Sequence, residues 1–303
     1  MTLHIIRDLD KGIFSLKQFY LRRMRRILPV LLVVLFVTSV AAYILLLSPE
    51  FKNYSGSLLA TLLSVSNLYF WVAIHVGYFA TDATTVPLQH TWSLGVEEQY
   101  YLLWPLMLVG IYKLSAKRHL LLIAYLLCIT SFPLYYFCRI HVRFTYYSPV
   151  TRAFELLLGA ILAMPYRPVS LLNNYKIKQL LSIMNVGLII YASFFVLAES
   201  YPGFNALLPC LGASLIIFTG KETECIGNQL LANPILVFIG LISYSLYLWH
   251  WPIISFLNIL GFELTLYFQL IVVTVSIVLS YFSWKYIEQH LIIILVLIMC
   301  LAM

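Results

Sequence analysis

The chain has 303 residues, of which 62% are hydrophobic and only 10% are charged. Soluble domains usually carry about 25% charged residues, so this composition excludes an ordinary water-soluble protein. The apolar residues form blocks long enough to cross a bilayer as helices, which takes about 20 residues each. Because the blocks are continuous rather than alternating, they exclude an outer-membrane barrel and predict an all-α, polytopic membrane helix bundle.

The net charge of +7 does not indicate nucleic-acid binding. The basic residues cluster in the first 26 positions and in short loops between apolar blocks, which is how membrane proteins set their orientation. The cysteines are scattered without a CxxC pair, so neither a metal site nor a disulfide framework is predicted. The charged start of the chain runs into a full-length apolar block, which does not resemble a cleavable signal peptide.

A basic, amphipathic lead-in of residues 1–26 opens the chain, and a membrane domain of residues 27–290 follows. Its apolar blocks predict nine to ten transmembrane or re-entrant helices. We expect residues 291–303 to be a final span that is cut short. The predicted blocks cover 27–47, 58–79, 97–113, 119–138, 151–164, 179–198, 205–219, 235–260, 264–287 and 291–303.

The positive charges favour one orientation of these helices. If every block except 58–79 crosses the bilayer, most Lys and Arg residues lie on the cytoplasmic side, as the positive-inside rule requires. The outer loops then hold only Lys52, Arg139 and Arg143. If 58–79 also crosses, the charge bias nearly disappears. We therefore predict that 58–79 is re-entrant and that residues 80–96 lie on the outer side.

The densest polar motif is HTWSLGVEEQ at residues 90–99. His90, Glu97 and Glu98 are costly to place at a membrane interface, which makes them candidate catalytic residues. In a helix that begins near Thr91, Glu97 lies about two turns from His90 on one face. Such a pair could transfer a proton or orient a hydroxyl substrate. Equally, the motif could be an ordinary helix N-terminus, in which Thr91 or Ser93 is the cap and the two acids interact favourably with the positive end of the helix dipole.

The second motif, FYLRRMRRILP, is strongly basic. It is either a topology anchor on anionic lipid or a binding site for a polyanionic donor, because Arg offers forked donors to phosphate oxygens. Pro29 is expected to open the helix that follows, a position that proline tolerates well. The donor-binding candidates are Arg22, Arg23, Arg25 and Arg26.

Three further pairs or single residues stand out. Arg152 and Glu155 are spaced i, i+3 and are predicted to form a structural ion pair at the start of a helix. His250 lies between two tryptophans in an apolar helix and needs a partner inside the protein, whether it packs or lines a site. Lys285 and Glu288 are expected to be a snorkelling pair at a helix end.

Four strings in this order resemble the acyltransferase-3 family of bacterial membrane acyltransferases. Members of that family O-acetylate lipopolysaccharide O-antigen, peptidoglycan and other surface glycans. The resemblance covers roughly residues 5–290. The strings are RDLDKGIFSLKQFYLRRMRRILP, PLQHTWSLGVEEQYYLLWP, SPVTRAFELLLGA and FIGLISYSLYLWHWPI.

The resemblance implies a membrane-bound O-acyltransferase in the bacterial inner membrane. It would move an acetyl group from cytoplasmic acetyl-CoA, a donor substrate rather than a bound cofactor, to a hydroxyl of a surface glycan or lipid-linked oligosaccharide. The arginine motif would hold the donor. His90, Glu97 and Glu98 would lie on the acceptor side.

The chain departs from the family pattern at its start. Family members begin with a helix in which a basic residue precedes a histidine by eleven positions, and that histidine is regarded as the catalytic base. None of the histidines of this chain has a basic residue at that distance before it. We therefore expect the first helices of the family, and any SGNH domain after the last span, to be missing.

Two other functions remain open from the sequence. Histidines and carboxylates inside a membrane domain also suit a proton-coupled transporter or flippase of a lipid-linked glycan. No paired half-chain repeat with interrupted helices supports that interpretation. The chain could instead be a catalytically inactive remnant of a longer protein.

Overall fold

The computed structural model describes residues 1–73, 84–115, 119–137, 142–164, 175–195, 204–219 and 225–289. These residues form helices and no strands, so the predicted all-α class is confirmed for them. His75 and the predicted final span of 291–303 lie outside this part of the chain.

Thirteen α-helices follow one another along the described segments, and six of them have both bounds within a few residues of a predicted block. A 3₁₀ turn (Phe204–Ala206) precedes α10, and a π-helical turn (Trp284–Glu288) continues α13. The helices are α1 (Thr2–Asp10), α2 (Leu16–Leu45), α3 (Ser48–Leu62), α4 (Ser66–Val72), α5 (Thr91–Ser115), α6 (Leu120–Phe137), α7 (Val142–Tyr147), α8 (Pro149–Leu162), α9 (Tyr175–Phe195), α10 (Leu207–Thr219), α11 (Ile226–Leu231), α12 (Pro234–Ile259) and α13 (Leu266–Ser283).

Four of the described helical segments are long and apolar enough to cross a membrane: α2, α9, α12, and α13 with its π turn. Shorter apolar helices lie at Leu120–Pro133 and Leu207–Thr219. The chain is thus a membrane protein by composition and helix length, but the predicted count of nine to ten spans is not confirmed.

The predicted place of Pro29 at the start of a helix is wrong. α2 begins earlier, at Leu16, where the Ser15 hydroxyl accepts a hydrogen bond from the Gln18 amide at 3.4 Å. Pro29 therefore lies inside α2 and removes one helical N–H. The helix continues because the residues that follow, including Val30 and Val34, are fully buried and held by packing.

The predicted block 58–79 is not one continuous helix. α3 ends at Leu62, and α4 starts at Ser66. Between them Ser64 adopts a left-handed backbone with φ of 58°, which turns the chain sharply. Whether this segment is re-entrant stays a prediction.

The chain divides into two compact units. The first unit contains residues 1–14 and 97–237, in which α6 packs on α8 and α9 packs on α10. In this unit α1 lies along α5, since Trp104 Nε1 donates to Thr2 Oγ1 at 3.0 Å and Tyr112 Oη donates to Asp10 at 2.9 Å. The two contacts follow in the same order along α1 and α5 and are the same number of residues apart in both helices. The two helices therefore run parallel here.

The second unit contains residues 15–96 and 238–303. Its apolar core joins α2 and α12 with the turn that precedes α5. The core residues are Val30, Leu31, Val34, Leu35, Ala42, Tyr54, Leu88, Leu94, Leu248 and Trp249.

Candidate functional site

His90 lies in the turn that precedes α5, and its side chain is only 3% exposed. Its ring is surrounded by aromatic rings of α12. Ring centroids lie 5.2 Å from Tyr247, 5.9 Å from His250 and 6.4 Å from Trp251. The structure thus brings together His90 and His250, which the sequence placed in separate motifs.

Side chains of α12 hold this turn by its backbone. Tyr247 Oη donates to the His90 carbonyl and accepts from Ser93 Oγ, 2.8 Å away. Trp251 Nε1 donates to the Val86 carbonyl at 3.0 Å. The turn and the first residues of α5 are therefore fixed to α12 by two of its side chains, Tyr247 and Trp251.

The first turn of α5 is also packed closely against α3 and α4. Ser66 Oγ donates to the Thr91 carbonyl at 2.8 Å, and the hydroxyls of Thr61 and Thr91 lie 2.9 Å apart. At Gly95 an added Cβ would lie 3.0 Å from Ser66 Oγ. The Thr91 hydroxyl donates back to the Leu88 carbonyl at 2.7 Å, which extends the preceding turn into the helix.

The two histidines differ in environment. His250 Nδ1 lies 3.1 Å from the Leu246 carbonyl. A carbonyl only accepts, so Nδ1 carries the proton and Nε2 keeps its lone pair when the ring is neutral. Burial lowers the pKa of His90 well below its usual value, and the neighbouring His250 lowers it further. The His90 ring is therefore neutral at physiological pH.

Because the buried His90 ring is neutral in the folded protein, we expect the protein to become less stable as the pH falls. His90 precedes the spans, and its pKa in the unfolded chain is about 6.5, well above the folded value. Below about pH 6.5 the unfolded chain binds a proton that the folded ring does not, so the free energy of unfolding falls with pH. We expect His90→Gln to reduce this loss between about pH 7.5 and pH 5, as measured by thermal unfolding in detergent. His4→Gln, at an exposed position, is the control, and an equal pH response of wild type and His90→Gln would contradict the prediction.

The two predicted carboxylates lie in the second turn of α5, and they differ in exposure. Glu97 is exposed, and its carboxylate accepts a hydrogen bond from Tyr101 Oη at 3.4 Å, one turn along the helix. Glu98 is half-buried. α5 begins at Thr91, earlier than the predicted block 97–113 and at the start on which the interpretation of the HTWSLGVEEQ motif depended.

The four arginines of the basic motif lie in the first turns of α2. Arg22 and Arg26 are exposed and are spaced i, i+4, so they share one helix face. Arg23 is half-buried, with its guanidinium 5.8 Å from the centre of the Phe19 ring, and Arg25 is half-buried too. Two guanidinium groups on one exposed face form a site that can bind an anion.

Arg152 and Glu155 form the predicted ion pair on α8. Arg152 Nη1 lies 2.5 Å from Glu155 Oε1, and Arg152 Nε donates to the Tyr146 carbonyl at 3.3 Å. The guanidinium also lies 5.0 Å from the centre of the Tyr146 ring. With Arg152 buried and held on three sides, the structural role predicted for this pair fits its geometry.

The second predicted pair, Lys285 and Glu288, has additional partners. Glu288 accepts a hydrogen bond from Ser245 Oγ at 2.5 Å, which ties the π turn to α12. The Lys285 ammonium lies 5.5 Å from the Tyr281 ring and 5.4 Å from the Tyr286 ring. A position over aromatic rings suits a lysine whose apolar stem lies along a membrane helix.

Among the described residues, no group of three or more His, Cys, Asp and Glu could hold a metal ion. Sequence reasoning missed Tyr247 and Trp251 as partners of the His90 turn. The SYSLYLWHW string of α12 does contain them. Its polar aromatic side chains in an apolar helix were the available signal, because such side chains seek hydrogen-bond partners when buried.

The helices and the basic and acidic motifs indicate a class, helical membrane proteins, but they do not by themselves indicate one activity. The match to known families is more specific, since residues 3–285 match the acyltransferase domain family. The chain belongs to this family.

Curated relatives support the same assignment. A Staphylococcus aureus protein named provisionally as an O-acetyltransferase is 33% identical over 92% of this chain and 48% of its own length. The peptidoglycan O-acetyltransferase OatA of Listeria monocytogenes is 30% identical over 90% of this chain and 46% of its own length. An uncharacterized protein of Haemophilus influenzae is 32% identical over 73% of this chain and 93% of its own length.

The chain spans about half the length of the Staphylococcus and Listeria relatives that it matches. No solved structure matches the chain significantly.

Proposed function

We propose that this chain is the membrane part of an O-acetyltransferase that transfers an acetyl group from acetyl-CoA to a hydroxyl of a cell-surface glycan. The observation that carries the proposal is the family match over residues 3–285. The name of the Listeria relative, a peptidoglycan O-acetyltransferase, favours a glycan acceptor. Lipid-linked oligosaccharide and lipopolysaccharide also carry sugar hydroxyls that can accept an acetyl group.

The donor site in this proposal is the exposed arginine face at the start of α2. Acetyl-CoA carries phosphate groups, and guanidinium groups bind phosphate oxygens in a forked, bidentate way. Arg22 and Arg26 are exposed on one face, and Arg23 and Arg25 flank them. The distribution of positive charge along the chain places this face on the cytoplasmic side of the inner membrane, where acetyl-CoA is available.

The acceptor side in this proposal is the start of α5. The charge distribution places His90, Glu97 and Glu98 toward the outer face, where surface glycans are found. The carboxylate of Glu97 is exposed and can accept a hydrogen bond from a sugar hydroxyl. In the transfer, the hydroxyl oxygen attacks the thioester carbonyl while a base takes the hydroxyl proton. The carbon–sulfur bond then breaks, and the base passes the same proton to the leaving sulfur, so that CoA departs as the thiol.

Acetyl transfer is tested in membranes from bacteria that express the full-length gene, compared with membranes that lack it. Acetyl-CoA with a labelled acetyl group is added, and the label that hydroxylamine releases from glycan is measured. We expect hydroxylamine-sensitive label only with the gene. Glycan movement across the membrane without added acetyl-CoA, and with no label transferred, would overturn the proposal in favour of a transporter, and no activity of either kind would favour an inactive protein.

The donor site has its own test. Replacing Arg22 or Arg26 by Gln removes one charge-assisted contact, worth about 1.5–3 kcal/mol, and is expected to raise the KM for acetyl-CoA about tenfold or more. The kcat is expected to change much less, because the phosphates lie far from the reacting thioester. Lys52→Gln, at an exposed cation in α3, is the matched control. An unchanged KM in both arginine variants would remove this face from the donor site.

A further inference from the structure

Pro252 leaves a gap in the hydrogen bonding of α12. Proline has no backbone N–H, so the carbonyl four residues earlier, that of Leu248, has no helical donor. The side chains of both Leu248 and Pro252 are buried. A buried carbonyl without a donor destabilises the fold, and proteins normally supply another donor.

The ring of His90 lies next to this carbonyl. It contacts Tyr247, which directly precedes Leu248 in α12, and His250, which lies two residues after Leu248, with centroid distances of 5.2 and 5.9 Å. Burial is the main influence on the pKa of this ring, and the Leu248 backbone acts in the opposite direction and raises the pKa, as a nearby acceptor would. Neither ring nitrogen makes a hydrogen bond of ordinary geometry within the described part of the chain. The ring therefore has a donor to offer and the carbonyl lacks one.

We propose that the ring N–H of His90 replaces the N–H that Pro252 lacks, so that His90 is a positioning residue that fastens the start of α5 to α12. The link is reciprocal. Tyr247 and Trp251 of α12 donate to backbone carbonyls of the turn. In this proposal the side chain of the turn donates in return to the Leu248 carbonyl of α12.

The inference deepens the proposed function, and it rests on that function for its biological meaning. The start of α5 carries Glu97 and Glu98, which the proposal assigns to the acceptor side. A turn locked on α12 fixes the first turn of α5, which leads directly along the chain into both carboxylates. A misplacement of about 1 Å at such a site can cost about a hundredfold in rate.

The proposal is tested by a double-mutant cycle between His90 and Pro252. His90→Phe keeps a ring but removes the donor, and we expect it to lower the thermal unfolding midpoint of the purified chain in detergent by several degrees. Pro252→Ala supplies a backbone N–H to the Leu248 carbonyl. In that background, His90→Phe is expected to lower the midpoint by less than half as much.

Conservative variants give a second readout that a general packing role would not show. His90→Asn and His90→Gln place an amide N–H near the positions of Nδ1 and Nε2, and at least one of them should recover half or more of the midpoint lost in His90→Phe. Pro133→Ala, which restores an N–H in α6, is the control background and should leave the loss in His90→Phe unchanged.

An equal loss from His90→Phe in the wild-type and Pro252→Ala backgrounds would overturn the proposal, as would failure to fold in both. The midpoint requires no substrate or turnover. A protein without acetyl transfer therefore leaves the cycle interpretable, and the two proposals fail separately.

Discussion

Replacing Gly227 by Ala is expected to destabilise the protein strongly. A Cβ at this position of α11 would lie 1.9 Å from the backbone carbonyl oxygen of Ser182 and 2.5 Å from its carbonyl carbon. Both atoms belong to the backbone of α9, so no flexible side chain can move aside. Overpacking usually costs about 1–3 kcal/mol, and a clash with helix backbone should cost about 3 kcal/mol or more in free energy of unfolding.

The close approach also supports a polar network that would be displaced. The Ile226 amide donates to Gln179 Oε1 at 3.2 Å, and Asn228 Nδ2 donates to the Thr219 carbonyl at 2.7 Å. Gly187→Ala in α9 is the matched control, since an added Cβ there meets no atom within 4 Å. Ala favours a helix over Gly by about 1 kcal/mol, so the control should be neutral or slightly stabilising. Equal free energies of unfolding for Gly227→Ala and Gly187→Ala in mixed micelles would contradict the close contact between α11 and the backbone of α9.

Removing Glu155 is the second change with a large expected effect. Glu155→Ala leaves Arg152 buried, with its side chain 5% exposed, and without the carboxylate 2.5 Å from Nη1. An uncompensated buried charge costs about 3–5 kcal/mol, and we expect a value near the lower end because the Glu155 side chain is 25% exposed. The loss is measured as the free energy of unfolding in mixed micelles.

The double variant distinguishes an ion pair from simple packing. Replacing Arg152 by Met and Glu155 by Leu removes both charges and keeps most of the apolar volume, so it should cost less than Glu155→Ala alone. Independent packing contributions would instead add. A double variant that is less stable than Glu155→Ala would show that the two side chains do not act as a pair.

The local features of this protein follow from short stretches of sequence. α5 starts at Thr91, the position from which the HTWSLGVEEQ motif was interpreted, although the apolar block alone predicted a start at 97. Arg152 and Glu155 pair as expected, because residues three apart on a helix are neighbours whatever the rest of the fold does. Such features need no knowledge of how the helices pack.

Pro29 shows where local reasoning fails. Proline favours the first turn of a helix, so the sequence suggested that a helix begins there. In the structure, Ser15 caps α2 fourteen positions earlier, and burial of the residues after Pro29 carries the helix through it. The energy that decides this comes from packing between helices, which a propensity does not contain.

The sequence by itself determined the membrane class, the helical content, the approximate ends of about half of the described helices, and the motifs that predicted the family. Only the tertiary structure decided that His90 meets His250, about 160 positions away, and that Gly227 touches the backbone of Ser182. Hydropathy and helical periodicity are properties of adjacent residues and can be read along the chain. Contacts between distant helices depend on which faces pack together, and that choice is made by the whole set of side chains at once.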